Sequence, residues 1–218
     1  YNCCRLRLFR MEENLKQLHS GPKKIIKIAL FGPESTGKTT LAKQLAEYYK
    51  TDWVPEFARD YLQEKWDIHQ AICDVNDMLP IAFGQTQLEN EKTATANQYL
   101  FCDTNLMVTK VFSEVYYNYC DPLLDQAARE HKYDLFFLTN IDVPWEKDDL
   151  RDKPEGRETV FSVFKQSLID NNKPFITLSG DASLRLKKAV SIIDDLTLAL
   201  EKGKSSLEFV QEYLIQKN

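Results

Sequence analysis

This chain of 218 residues predicts an α/β fold in which a five-stranded parallel sheet is covered by helices on both faces. Two observations carry that expectation. Five short apolar runs alternate with helical stretches, and strands apolar throughout belong to a sheet buried on both sides. A glycine loop also separates the first run from the first helix, as in a strand-loop-helix unit.

Residues 25–31 (IIKIALF) read as the first strand and Thr39 to Tyr49 as the helix after the loop. A short strand at 52–55 and a helix from Phe57 to Lys65 follow. Residues 66–77, with Asp67, His69, Asp74 and Asp77, look polar and irregular. Asp77 is placed to cap a long helix reaching Asn97, with Pro80 in a first turn that tolerates proline. The third strand, 98–102 (QYLFC), ends at Asp103, and helices at 105–117 and 122–131 come next. The fourth strand is 134–139 (DLFFLT), followed by a charged loop, 142–157, and a helix over 158–171. A fifth strand, 174–179 (PFITLS), breaks at Gly180. The last long helix ends near Gly203, which suits a C-cap, and Ser205 is placed to cap a terminal helix to Gln216. The expected organisation is an N-terminal extension (1–22), one domain (23–202) and an appended C-terminal helix (203–218).

Composition excludes several classes. With 33 acidic against 28 basic residues the formal charge is −5, which argues against a protein built to grip nucleic-acid phosphates. Mean hydropathy is −0.43, and no run of about 18 apolar residues offers a membrane span. The five cysteines (Cys3, Cys4, Cys73, Cys102, Cys120) are odd in number and contain no CxxC pair. That usage fits a reducing compartment, the cytoplasm, and Cys102 reads as a small buried hydrophobe. The leader YNCCRLRLFR lacks the apolar stretch of a secretory signal and reads as a targeting remnant or a dispensable extension ahead of Met11. A small-molecule substrate is expected, with homo-oligomerisation left open.

In parallel sheets of this kind ligands sit beyond the carboxyl ends of the strands. The segments to search are therefore 32–39, 55–59, 103–105, 140–157 and 180–185. The first, Gly32-Pro-Glu-Ser-Thr-Gly37-Lys38-Thr39, matches G-x-x-x-x-G-K-[ST] in the required setting. Its glycines let successive N–H groups face inward at a helix N-terminus, an anion nest for phosphates. Lys38 supplies a point charge for the β- and γ-phosphates, and the Thr39 hydroxyl can ligate Mg²⁺. The motif assigns the fold to the P-loop NTPase three-layer sandwich and the cofactors to ATP and Mg²⁺.

Asp103 can face Mg²⁺ through water, bond a ribose hydroxyl, or cap the helix that starts at Asn105. In Pro55-Glu56-Phe57-Ala58-Arg59, Glu56 points towards the same crevice and can take a proton from an attacking hydroxyl. Arg59, one turn on, can hold phosphate or orient Glu56; a solvated Glu–Arg pair is the plainer alternative. The 142–157 loop suits a closing lid, with Arg151 and Arg157 bridging transferring oxygens. Trp145 is suited to stacking on a cationic ring or to ordinary packing. Ser179-Gly180-Asp181 and Arg185 are placed to touch an adenine.

Other patterns are discounted. His69 and Cys73 share an i, i+4 spacing without a third ligand for zinc. Thr139-Asn140-Ile141-Asp142 misses the register of a guanine reader, and no D-x-x-G follows the third strand, which disfavours a GTPase.

The runs FGPESTGKTTLAKQLA, PEFARDYL, FCDTNLMVTKVF and DVPWEKDDLR resemble the ribosylnicotinamide kinase domain of NadR-type proteins across about residues 25–198. The resemblance implies phosphorylation of the 5′-hydroxyl of nicotinamide riboside by ATP and Mg²⁺. It implies that Lys38 and Thr39 carry the phosphates and metal; together with the loop and strand-end reading, the expected nucleotide site is Gly32, Glu34, Ser35, Thr36, Gly37, Lys38, Thr39, Thr40 and Arg185. Thr39 and, through water, Asp103 would serve the metal. The resemblance places Glu56 and Asp103 at the acceptor and Arg151 in the lid, with Arg157 the looser match; joined to the placement of the other residues, the expected acceptor site is Glu56, Arg59, Asp103, Asn105 and Trp145, and the expected catalytic residues are Lys38, Glu56, Asp103, Arg151 and Arg157. One departure stands out. Family members often carry an adenylyltransferase domain marked by H-x-x-H, whereas only His19 precedes the loop here. The expectation is a stand-alone kinase that does not adenylylate its product. The alternatives are another nucleoside kinase or a regulatory ATPase without an acceptor. An AAA-type remodelling machine is disfavoured because no helical lid domain follows the fifth strand, and a module that has lost catalysis is disfavoured by the intact Lys38-Thr39.

Overall fold

The computed structural model describes residues 11–18, 24–144 and 156–217. Its sheet is built from β1 (Ile26–Phe31), β2 (Trp53–Val54), β3 (Tyr99–Cys102), β4 (Leu135–Thr139) and β5 (Phe175–Leu178), in the order β2-β3-β1-β4-β5. All four pairings are parallel, with Ile28 beside Phe101 on one side and beside Leu135 on the other. Parallel pairing requires long crossovers, and helices supply them. They are α1 (Lys38–Tyr49), α2 (Phe57–His69), α3 (Met78–Thr95), α4 (Leu106–Tyr117), α5 (Pro122–Glu130), α6 (Arg157–Asp170), α7 (Ala182–Glu201) and α8 (Ser206–Lys217). No helix among the described residues is long and apolar enough to cross a membrane.

Alternation along β1 divides the core. Ile26, Ile28 and Leu30 meet Leu41 and Leu45 of α1, Ile192 and Leu196 of α7, and Phe209 and Val210 of α8. Ala29 and Phe31 face the opposite layer, where α3, α4, α5 and α6 pack. There Phe31 lies edge-on to Phe164 at 4.9 Å and to Phe136 at 5.8 Å, the geometry that aromatic quadrupoles favour. The five-stranded sheet expected from the apolar runs is the sheet observed.

Local chemistry moved some boundaries. Helix α2 runs to His69, one turn past Lys65, and closes on Gln70 in the left-handed conformation. The capping expected of Asp77 falls instead to Asp74. Its carboxylate accepts Asn76 N–H, while Asp77 accepts Asp74 N–H, a reciprocal box over a 3₁₀ turn (Val75–Asp77) that leads into α3. Ser205 and Glu208 form the same kind of box at the start of α8.

The segment 11–18, read from sequence as part of an extension, packs against the domain. Leu15 joins the core and Gln17 is buried, donating to Glu89 Oε1 at 2.7 Å. Glu89 also receives Lys27 Nζ at 2.9 Å and the Tyr133 hydroxyl at 2.5 Å. Burial pushes the Glu89 carboxyl up, but Lys27, His131 and Tyr133 outweigh it and hold the group below its ordinary range.

Candidate active site

The phosphate loop is shaped by what lies beneath it. Gly32 has φ 140°, and a Cβ there would sit 2.7 Å from Thr139 Oγ1 and 2.9 Å from its carbonyl, so only glycine fits. Gly37 (φ 79°) turns the chain into α1, leaving the first N–H groups of that helix facing the cleft. The Thr36 and Thr139 hydroxyls meet at 2.7 Å and stitch the loop to the end of β4. Lys38 folds back over the loop, donating to Gly32 O at 2.9 Å and Pro33 O at 2.7 Å.

Asp103 follows β3 and is 2% exposed. The Thr39 hydroxyl donates to its Oδ2 at 2.6 Å, and its Oδ1 is buried with no hydrogen-bond partner among the described residues. Burial pushes its carboxyl up, with Glu56 adding to the effect, while Thr39, Lys38 and Arg59 pull the other way; the balance is about 6. A hydroxyl beside a partly unsatisfied carboxylate is a hard-oxygen pair that fits Mg²⁺. Asp103 does not cap α4. That task belongs to Asn105, whose Oδ1 accepts Met107 N–H at 2.9 Å and Val108 N–H at 3.3 Å. Asn105 is 0% exposed, its Oδ1 taken by the cap and its Nδ2 buried without a partner among the described residues, and the neighbouring Thr104 lines the cavity.

Glu56 stands at the N-terminus of α2 but makes no side-chain capping bond. With Arg59, Ser35 and Thr40 it lines a cleft of about 390 Å³ over the phosphate loop. A second cavity of about 310 Å³ lies between α2, α3 and α4, walled by Trp66, Ile72, Cys73, Met78 and Tyr116. The two share Glu34, Glu56, Ala58, Leu62 and Phe112, so one continues into the other. Both are of the size that binds small molecules.

Arg185 is 3% exposed and lies under the loop. Its guanidinium donates to Thr36 O and to Asn140 O (2.9 Å) and pairs with Asp142. These bonds brace the phosphate loop, and Arg185 also borders the first cleft. Arg157 opens α6 and reaches back to Ser35 O at 3.3 Å and Val143 O at 3.2 Å, its Nε buried and unpartnered among the described residues. It therefore lies against the phosphate loop. Trp145 and Arg151 fall outside the described residues.

Sequence reasoning missed Gln85. This α3 side chain is 1% exposed, and it bonds the backbone on both sides of Glu56. A single glutamine in a helix carries no motif or periodic signal that could have marked it.

Comparison with known proteins agrees with this architecture. A family model described as an AAA domain matches residues 27–185. The trifunctional NAD biosynthesis/regulator protein NadR of Salmonella typhimurium is 27% identical over 172 residues, covering 78% of this chain and 42% of that relative. This chain thus spans less than half the length of the curated relative it matches. Crystal structures of a NadR protein, one in complex with NAD and AMP-PNP and one with NR, superpose with TM-scores of 0.63. Both cover 77% of this chain, and they are 20% and 22% identical to it, spanning 48% and 49% of those chains. Thymidylate kinase from Ehrlichia chaffeensis shares the fold at a TM-score of 0.54 and 16% identity, over 79% of this chain and 100% of that one.

Proposed function

We propose that this chain, which belongs to the AAA domain family matched over residues 27–185, is an ATP-dependent kinase that phosphorylates the 5′-hydroxyl of nicotinamide riboside. The observation that carries this reading is the continuity of the two cavities. The phosphate-loop cleft passes Glu56 and opens into an aromatic chamber of nucleoside size. The likeness to NadR, whose crystal structures include complexes with NR and with an ATP analogue, supports this acceptor. The chain's net charge of −5 and the carboxylates at the chamber mouth suit a cationic pyridinium better than an anionic acceptor.

The residues divide the work. The loop amides and the N-terminus of α1 hold the triphosphate. Lys38 exchanges the Gly32 and Pro33 carbonyls for phosphate oxygens. Thr39 and Asp103 would hold Mg²⁺, which would offset charge on the phosphates when bound. Asp103 is engaged with Thr39, so the proton of the 5′-hydroxyl passes to a Glu56 carboxylate oxygen. The hydroxyl oxygen bonds to the γ-phosphorus as the bond to the β,γ-bridging oxygen breaks, and ADP leaves. Arg157, already against Ser35 O, offsets charge on the transferring group.

An ADP-release assay with nicotinamide riboside, uridine, adenosine and no acceptor tests the reading. ADP release should rise many-fold over the no-acceptor rate only with the pyridinium riboside. Equal rates with and without it refute the proposal, and faster turnover of uridine or adenosine reassigns the acceptor.

A further inference from the structure

Strand β2 is only two residues long, so the ladder alone cannot fix the direction of the chain that follows it. Glu56 lies in that following turn, and its side chain makes no capping bond. What holds the turn comes from α3. Gln85 Oε1 accepts the Phe57 N–H at 2.9 Å, and Gln85 Nε2 donates to Pro55 O at 3.1 Å. One buried carboxamide thus fixes the peptide plane on each side of the Glu56 Cα. Its neighbour Gly84 completes the grip: a Cβ there would lie 2.2 Å from the Phe57 ring, so the missing side chain is what lets that ring rest on α3.

We propose that Gln85 is a positioning residue for phosphoryl transfer, acting through Glu56. Its carboxamide sets where the Glu56 carboxylate meets the acceptor hydroxyl, while Gln85 itself takes no proton and holds no phosphate. This inference rests on the functional reading above. A misplacement of about 1 Å at a reacting group can cost about a hundredfold in rate, and both of these hydrogen bonds lie within one residue of the group they aim.

The test is a double-mutant cycle on the full chain, measuring kcat and both KM values for the wild type, Gln85→Met, Glu56→Gln and the double variant. Thermal unfolding is recorded for all four. Gln85→Met should lower kcat by about tenfold to a hundredfold, with the KM for ATP within about twofold of wild type. In the Glu56→Gln background the same substitution should change kcat by less than about twofold, because there is no carboxylate left to aim. Equal loss in both backgrounds marks a general structural brace and overturns the inference. If Gln85→Met does not fold, Gln85→Glu takes its place in the cycle: it keeps an acceptor for Phe57 N–H, loses the donor to Pro55 O, and should show a smaller loss that again vanishes without Glu56. Absence of riboside-dependent turnover in the wild type, or full activity of Glu56→Gln, overturns the functional reading and this inference with it. A normal wild type with a multiplicative cycle overturns the inference alone.

Discussion

Arg185→Leu separates two roles for one side chain: bracing the phosphate loop or contacting the base. The guanidinium is 3% exposed and bonds Thr36 O, Asn140 O and Asp142. Leucine would leave two carbonyls without a charged donor and a carboxylate without its cation. Removing one partner of a buried pair costs about 3–5 kcal/mol. The Asp142 side chain is 33% exposed, so water recovers part of the loss, and the expected cost lies at the low end, about 3 kcal/mol. In a chain of this length each kcal/mol moves Tm by about 2–4 °C, giving a drop of about 6–12 °C. Calorimetry reads that drop. Titration with magnesium tripolyphosphate and with magnesium ATP then distinguishes the roles, because both ligands grip the loop but only ATP carries adenine. The brace requires both affinities to fall by a similar factor. An unchanged Tm, with weakening confined to ATP, would refute the brace and return Arg185 to the base.

Three further outcomes are expected. Lys38→Ala should abolish riboside-dependent ADP release while leaving circular dichroism nearly unchanged, since the Thr36–Thr139 bond and the Arg185 contact with Thr36 O still hold the loop in place. Asp103 has a folded-state pKa of about 6, raised above its unfolded value, so its contribution to stability is fully present below about pH 4 and is lost as pH rises to about 6. Asp103→Asn should therefore raise the unfolding free energy of the ligand-free protein at pH 7.5 by up to about 3 kcal/mol and leave it nearly unchanged at pH 4, read by chemical denaturation at the two pH values; a pH-independent difference would contradict the assignment. Gly84→Ala should cost about 1–3 kcal/mol by overpacking against Phe57 and should lower kcat as the turn around Glu56 shifts, read by calorimetry and ADP release.

The sheet was legible because the strands are predominantly apolar, Lys27 in β1 and Thr177 in β5 being exceptions, and are separated by helical stretches. Gly32, Lys38 and Thr39 were legible because the anion nest demands those residue types at that spacing. Asp103 was legible from its place after β3, but sequence could not decide between capping and the site; Asn105, two residues on, took the cap. The start of the long helix just after Asp77 was legible from Pro80 in its first turn, but the Asp74–Asp77 box over the 3₁₀ turn ahead of it, present in the chain as D-V-N-D, went unread. The brace by Arg185 and the clasp by Gln85 were beyond reach for another reason. Each depends on a backbone group distant in sequence, 149 residues away for Thr36 and 28 for Phe57, and backbone acceptors and donors leave no trace in residue identity.

The pocket of charge around Glu89 sets a limit on how far this protein can be shortened. Lys27 Nζ spends one of its bonds on Leu18 O, and Gln17 contributes its amide to Glu89 while its own carbonyl oxygen accepts from Lys132 N–H. A fragment cut to residues 27–185 would discard those two partners, the apolar plug of Leu15, and the Phe209–Val210 pair that covers the far layer. The recognisable block is thus smaller than the set of residues that share its core, and a shortened fragment should keep both flanks.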